Sequence, residues 1–396
     1  MSPTHPLRVL GAALAVRPIP ADLAAALVAP DLDWPRLLRA AGQHLVTPSL
    51  ADALRRQGLF DALPAQVRDY LDGMRDLNRL RNRDLRAALE DIARALTPLD
   101  IQPVLLKGAN ALLPDQYPGA EDRVIGDLDL GVPPLRLAAA EGALLDLGYP
   151  QRAAAAITSP LLPREALHHQ GHPLLHPTRL VRVELLRGLV FDDHEWEVRH
   201  HHSYPLLHPT RAARVELHRR LVFDVRDAAR LQAGLTTTAQ TLAAGSVVQV
   251  PDPGTRLLHN FLHAQINDRL RQRRGLNLRQ LLEFAALAQR HPQILTPALL
   301  ERLRRRRRRA FLEYLAQAEH WLGLAWPPGL PRTASARWEL WLQGRALTSV
   351  GWRRLFTLRE DGATLMLRLG PLRLRLLLTP DWLPWQWRWR VWREGK

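Results

Sequence analysis

Two aspartates, Asp127 and Asp129, stand one residue apart in the run G-D-L-D-L-G over residues 126–131. On a β-strand that spacing places both carboxylates on one face, a few ångströms apart. Paired hard oxygens so placed suit Mg²⁺, which takes one or two carboxylates and fills its octahedron with water and phosphate oxygens. A solvated turn produces the same D-x-D pattern. Here, however, the pair lies between Ile125 and Leu130, and adjacent negative charges in an apolar strand are costly without a cation. The spacing therefore favours a metal site.

Upstream, Leu105-Leu106-Lys107-Gly108 has the form of a phosphate cradle, in which a strand ends, a glycine lets backbone approach closely and helix N–H groups face an anion. Lys107 is the only lysine before the C-terminal Lys396, and it could set a point charge against a phosphate. A plain strand-to-helix turn with a snorkelling lysine is the alternative. Other chemistries have less support. The chain has no cysteine, which excludes thiolate zinc sites and cysteine nucleophiles. The histidines at 168, 169, 172, 176 and 200–202 match no zinc-site spacing. His259 and His263 share a helix face but lack the glutamate of the metalloprotease motif. They read as a packed face.

The elements that must position these residues follow from periodicity. Residues 20–96 are helical, clearest where Val67, Leu71, Met74, Leu77, Leu85, Leu89 and Ile92 recur near every 3.6 residues. A strand over 103–106, a small helix over 108–113, a strand over 125–132 and a helix over 135–147 then make an α/β unit. The segment beginning at His172 is repeated from Tyr204, as a local tandem duplication. Beyond Pro251 helical periodicity returns, with an unbroken arginine run over 304–309 that suits a solvated face or a polyanion contact. The predicted regions are therefore an N-terminal helical region (1–98), an α/β core with the duplicated segment (99–235, copies at 168–193 and 200–225), a C-terminal helical region (236–330) and a Trp- and Arg-rich appendage (331–396).

The chain has 396 residues, 46% of them hydrophobic, which fits a packed globular protein of two or three domains. Its net charge of +16 fits a polyanionic partner such as nucleic acid. Heavy use of Arg over Lys, with abundant Ala, Leu and Pro, also fits a GC-rich genome. The apolar stretch Leu10 to Val16 is short and precedes prolines at 18 and 20, a poor signal peptide. No run approaches the roughly 18 apolar residues of a membrane helix. A cytoplasmic location is expected.

The span V-L-L-K-G-A-N-A-L-L (104–113), with Tyr117, Pro118, Arg123 and G-D-L-D-L-G-V (126–132), resembles the uncharacterised bacterial nucleotidyltransferase family of the DNA polymerase beta-like superfamily. The resemblance extends over about residues 30–330, through Asp33-Trp34 and the helix carrying L-L-H-N-F-L-H-A-Q. It implies an α+β fold: a polymerase beta-like core with a small mixed sheet, flanked by N-terminal and C-terminal helical regions. It implies two Mg²⁺ ions held by Asp127, Asp129 and a third carboxylate. That acid resembles the one in V-E-L-H, Glu216, with His218 also fitting; Glu184 in the matching V-E-L-L of the first copy is the alternative. Lys107 and Gly108 would hold phosphates. Arg123 would contact the triphosphate, or else pair with Asp127 and hold the strand.

The implied activity is transfer of a nucleoside monophosphate from an NTP to a hydroxyl on an unidentified small-molecule, protein or RNA acceptor. One departure stands out: many active members carry serine after the glycine of the first turn, and here Ala109 follows Gly108. The alternative is a catalytically inactive protein of the same fold that binds nucleic acid or another anionic partner.

Overall fold

The computed structural model describes residues 5–29, 31–113, 121–149, 203–207, 214–222, 224–268 and 270–356. The first copy of the duplication with Glu184, Tyr117, Pro118, the histidines at 168–202 and residues 357–396 of the appendage lie outside the described residues.

Two compact units emerge from the contacts, one formed by Ile19–Leu221 with Leu235–Asp252, the other by Met1–Pro18, Val222–Gly234 and Pro253–Lys396. After α1 (Pro6–Ala13), which belongs to the second unit, four helices lead into the sheet of the first: α2 (Ala21–Val28), α3 (Trp34–Gln43), α4 (Thr47–Arg56) and α5 (Ala65–Leu96). Asp33 caps α3 by accepting from the Arg36 N–H at 3.0 Å, which meets one of the donors a helix start leaves unpaired. Helix α5 runs 32 residues and buries Val67, Leu71, Leu85, Ala88, Leu89, Ile92 and Leu96 along one stripe. Asn78 and Asn82 are buried in that same stripe.

Six strands form one mixed sheet in the order β3-β4-β2-β1-β6-β5. They are β1 (Val104–Leu105), β2 (Leu128–Gly131), β3 (Ser203–Leu207), β4 (Arg214–His218), β5 (Thr237–Thr241) and β6 (Val247–Pro251). At the centre β1 runs antiparallel to β2, while β2 and β4 are parallel. A 3₁₀ turn over Lys107–Leu112 follows β1, and α6 (Leu137–Asp146) follows β2. Leu85, Leu89, Ile92 and Leu96 of α5 share a core with Leu105, Leu128, Leu130, Val215, Leu217 and Val248 of the sheet. The fold is thus α+β, with a small mixed sheet and helical flanks, as the sequence led one to expect.

Several details differ from the sequence pattern. The second strand begins at Leu128 rather than at 125, because its ladder starts only where Leu128 meets Val215 of β4. Residues 121–126 instead present carbonyls to side chains: Asn78 and Asn82 donate to the Arg123 oxygen at 3.0 and 2.8 Å, and Arg81 to that of Gly126 at 3.2 Å. Strands β5 and β6 fall in the span 236–330 read as helical. They form a hairpin whose turn uses Gly245 at φ +83°, a conformation glycine adopts without steric cost.

The second unit contains α7 (Val225–Ala233), α8 (Pro253–Leu262), α9 (Leu270–Arg273), α10 (Leu278–Arg290), α11 (Pro297–Glu301), α12 (Arg305–Leu322) and α13 (Ala334–Thr348). Phe261, Phe284, Phe311 and Tyr314 meet ring to ring at its centre, with centroids 4.8–6.0 Å apart. The arginine run enters α12 and is partly internal: Arg304 pairs with Asp224 at 3.2 Å and Arg307 with Asp227 at 2.9 Å. No helix among the described residues is long and apolar enough to cross a membrane.

Leu130 is fully buried between the two central pairings of the sheet. Leu130→Ala should cost about 2–5 kcal/mol, read as a lower urea midpoint of the full chain. An unchanged midpoint would mean that this strand does not anchor the core.

Candidate active site

The parallel register of β2 and β4 sets Asp129 opposite Glu216 and Gly131 opposite His218. Alternation along β4 puts Glu216 and His218 on one face, so that face of the strand pair carries Asp129, Glu216 and His218 together. All three are 1–2% exposed. His218 Nε2 lies 2.7 Å from Asp129 Oδ1 and 3.6 Å from Glu216 Oε2. One ligand atom from each lies within 4.8 Å of the others, an arrangement that could hold a metal ion.

The turn after β1 brings a cation to this group. Leu106 N–H donates to the Asp129 carbonyl at 3.0 Å, extending the contact between β1 and β2. Lys107 then takes φ +47°, uncommon for a residue with a side chain, and the chain turns sharply. Asn110 holds the turn by donating to the Leu105 and Lys107 carbonyls at 3.1 and 3.2 Å. The result is an ion pair of 2.6 Å between Lys107 Nζ and Asp129 Oδ1.

Electrostatics follow from this crowding. Burial alone would raise the Asp129 pKa, but the Lys107 ammonium and the His218 ring bring it well below the usual carboxylate range. Burial likewise opposes ionisation of Glu216, and the His218 hydrogen bond with the Lys107 charge overcomes it. Burial weakens the charged form of Lys107, yet Asp129, Glu216 and Asp127 outweigh that and raise its pKa. For His218, burial and Lys107 push downward, while Asp129 and Glu216 push further upward. The two carboxylates are therefore held ionised, as metal ligation requires.

Gly108 sits against a second cation. A Cβ there would meet Arg123 Nη2 at 3.3 Å and Ile125 Cγ2 at 3.5 Å, so the bare backbone lets the Arg123 guanidinium pack beneath the turn. Arg123 is 4% exposed and donates to the Val124 carbonyl. Its own carbonyl is the oxygen that Asn78 and Asn82 hold. Next to it, Asp122 pairs with Arg75 at 2.9 Å; burial, only partly offset by Arg75, pushes its pKa up to about 6.

Asp127 lies immediately before β2 and is half-buried. It is outside the group of mutually close ligand atoms, although its charge acts on both Lys107 and Arg81. Of the residues singled out in the sequence, Asp129, Glu216 and Lys107 are brought into contact or near-contact. Gly108 and Arg123 pack together alongside. His218, which served in the sequence only to favour Glu216, belongs to the cluster itself. Asn110 gave no sequence signal. His259 and His263 pack edge to face at 6.4 Å, and His263 pairs with Asp268 at 3.2 Å.

Fold and site together define an α+β protein with a buried acidic centre able to hold a metal ion. The chain belongs to the uncharacterised nucleotidyltransferase family, whose sequence profile matches residues 30–323. No curated protein and no solved structure matches it.

Because the folded-state pKa values of Asp129 and Glu216 are depressed, the stability they contribute is complete above the ordinary carboxylate range and lost as pH falls through the depressed values. Lys107→Met removes the compensating cation. The variant should lose about 3–5 kcal/mol at neutral pH, and the deficit should narrow as pH falls and the carboxylates protonate in both proteins, with Mg²⁺ restoring part of the loss at neutral pH. Urea midpoints between pH 7 and pH 3 check this; a superimposable profile would show that the ion pair contributes nothing.

Proposed function

We propose that the protein is a metal-dependent nucleotidyltransferase of the DNA polymerase beta-like superfamily, which transfers a nucleoside monophosphate from an NTP to a hydroxyl acceptor. The observation that carries this reading is the parallel register that puts Asp129 opposite Glu216, beside a lysine delivered by the turn after β1. The donor set fits a divalent cation: two carboxylates held ionised with His218 beside them, and Asp127 one residue before the same strand.

Asp127, Asp129 and Glu216 would hold Mg²⁺, two ions in the arrangement usual for in-line phosphoryl chemistry. When bound, the metal would stabilise both the attacking and the leaving oxygen. The chain's own residues do the rest. Asp129 and Glu216 stay ionised and would hold the metal in place. Glu216 accepts the acceptor's hydroxyl proton as the new O–P bond forms and the bond to the departing pyrophosphate breaks. Lys107, released from Asp129 when that carboxylate is engaged, places its ammonium on a phosphate oxygen. Gly108 keeps the turn close to the nucleotide, and Arg123 beneath it adds positive potential. The acceptor is a small molecule, a protein or an RNA, and the cytoplasm supplies the NTP.

A second reading is favoured by the Lys107–Asp129 ion pair itself and by Ala109, which offers no hydroxyl after Gly108. In it the lysine replaces the metal permanently, and the fold binds nucleic acid or another anionic partner through its basic surface.

Isothermal titration with non-hydrolysable ATP, GTP, CTP and UTP analogues separates the two. Binding of at least one analogue should require Mg²⁺ and should weaken by at least about tenfold in Asp127→Ala, a loss of roughly 1.4 kcal/mol. Absence of binding by a folded chain, or binding indifferent to EDTA, would leave the second reading in place of the first.

A further inference from the structure

Helix α5 carries a buried cation whose hydrogen-bonding capacity is only partly used. Arg81 donates from Nη2 to the carbonyl of Gly126, the residue before Asp127, at 3.2 Å. Its Nε and Nη1 are buried and have no hydrogen-bond acceptor among the described residues. A guanidinium keeps its charge at any physiological pH, so these donors call for an acceptor. Leaving buried N–H groups unmet costs free energy. Asp127 supplies the opposing charge, but burial outweighs it and pulls the Arg81 pKa down to about 10.

The neighbouring cations are engaged differently. Lys107 is spent on Asp129 at 2.6 Å. Arg123 is 4% exposed, lies against Gly108 and donates to the Val124 carbonyl. Arg75 pairs with Glu121 and Asp122, both at 2.9 Å. Arg81 is only partly buried as a residue, is bonded to the residue before the first aspartate of the D-x-D pair, and feels that aspartate's charge. Anionic oxygens are the acceptors that such donors bind most strongly, and arginine suits phosphate better than lysine does where several oxygens must be met at once.

We infer that Arg81 is a substrate-binding residue that takes the non-transferred phosphates of the nucleoside triphosphate through its Nε and Nη1 donors. The inference rests on the nucleotidyltransferase reading and adds to it the residue that grips the polyphosphate. Residues 78, 81 and 82 of α5 then divide the work: the two asparagines fix the backbone of residues 121–123, and the arginine one turn along binds the ligand. Arg123 serves the turn from beneath.

The test uses the full chain, inorganic tripolyphosphate and the nucleotide analogues, each titrated with Mg²⁺ into wild type, Arg81→Met and Arg81→Lys, with thermal unfolding of every protein. Arg81→Met should weaken tripolyphosphate and the bound analogue alike by about 10- to 100-fold, and Arg81→Lys by less. The ligand-free thermal midpoint of Arg81→Met should change little, because loss of the bond to the Gly126 carbonyl is offset by removal of a buried cation with unmet donors. Undiminished affinity in Arg81→Met would overturn the inference while leaving the nucleotidyltransferase reading intact. Should Arg81→Met melt early, Arg81→Lys decides: a several-fold loss of tripolyphosphate affinity with a wild-type midpoint supports the role, and full affinity overturns it. A wild-type chain that binds neither probe would end the broader reading and this inference with it.

Discussion

Two carboxylates buried side by side on adjacent parallel strands are the constraint on which the rest of the first unit depends. Each buried ion costs several kcal/mol of hydration, and like charges so close repel. Asp129 and Glu216 are tolerated because Lys107 and His218 meet them within the same small volume. That arrangement requires the sheet to pair β2 with β4 in one register only, since a slip of one residue would turn the acids to the opposite face. It also requires the chain to leave β1 sharply enough to return a lysine to Asp129, which explains the positive φ at Lys107 and the buried Asn110 that secures it.

The long helix α5 supplies the second layer of control. Its apolar stripe packs on the sheet, and where that stripe changes to Asn78, Arg81 and Asn82 the neighbouring chain ceases to be a strand. Backbone carbonyls without a ladder must find other donors, and the asparagines provide them. The residues that lead into Asp127 are thus held by side chains rather than by a neighbouring strand. This leaves Asp127 half-buried, while Asp129 two residues later is buried in the sheet beside Lys107 and His218. Local differences of pairing give two chemically identical residues different environments.

Much of this centre was legible in the sequence. D-x-D between apolar residues marked Asp127 and Asp129, of which Asp129 joins the cluster; the lone lysine marked Lys107, and the family resemblance in V-E-L-H pointed to Glu216. The stripe of α5 followed from its 3.6-residue period. What periodicity could not provide was partnership. His218 looked incidental until the β2–β4 register placed it on Asp129. Asn78 and Asn82 are ordinary polar residues in a helix pattern, and their role exists only relative to carbonyls more than forty positions away. The hairpin of β5 and β6 is carried by short Thr- and Val-rich runs, which local pattern assigned to the helical region. Their place at the sheet edge follows from long-range pairing with β1.

The carboxylate centre is most directly tested by electron paramagnetic resonance of Mn²⁺ titrated into the full chain and into Asp129→Asn with a non-hydrolysable nucleotide present. The wild type should quench the signal of free Mn²⁺ as it binds, and the variant should leave that signal standing. Equal quenching by both proteins, or none by the folded wild type, would contradict a metal centre built on Asp129.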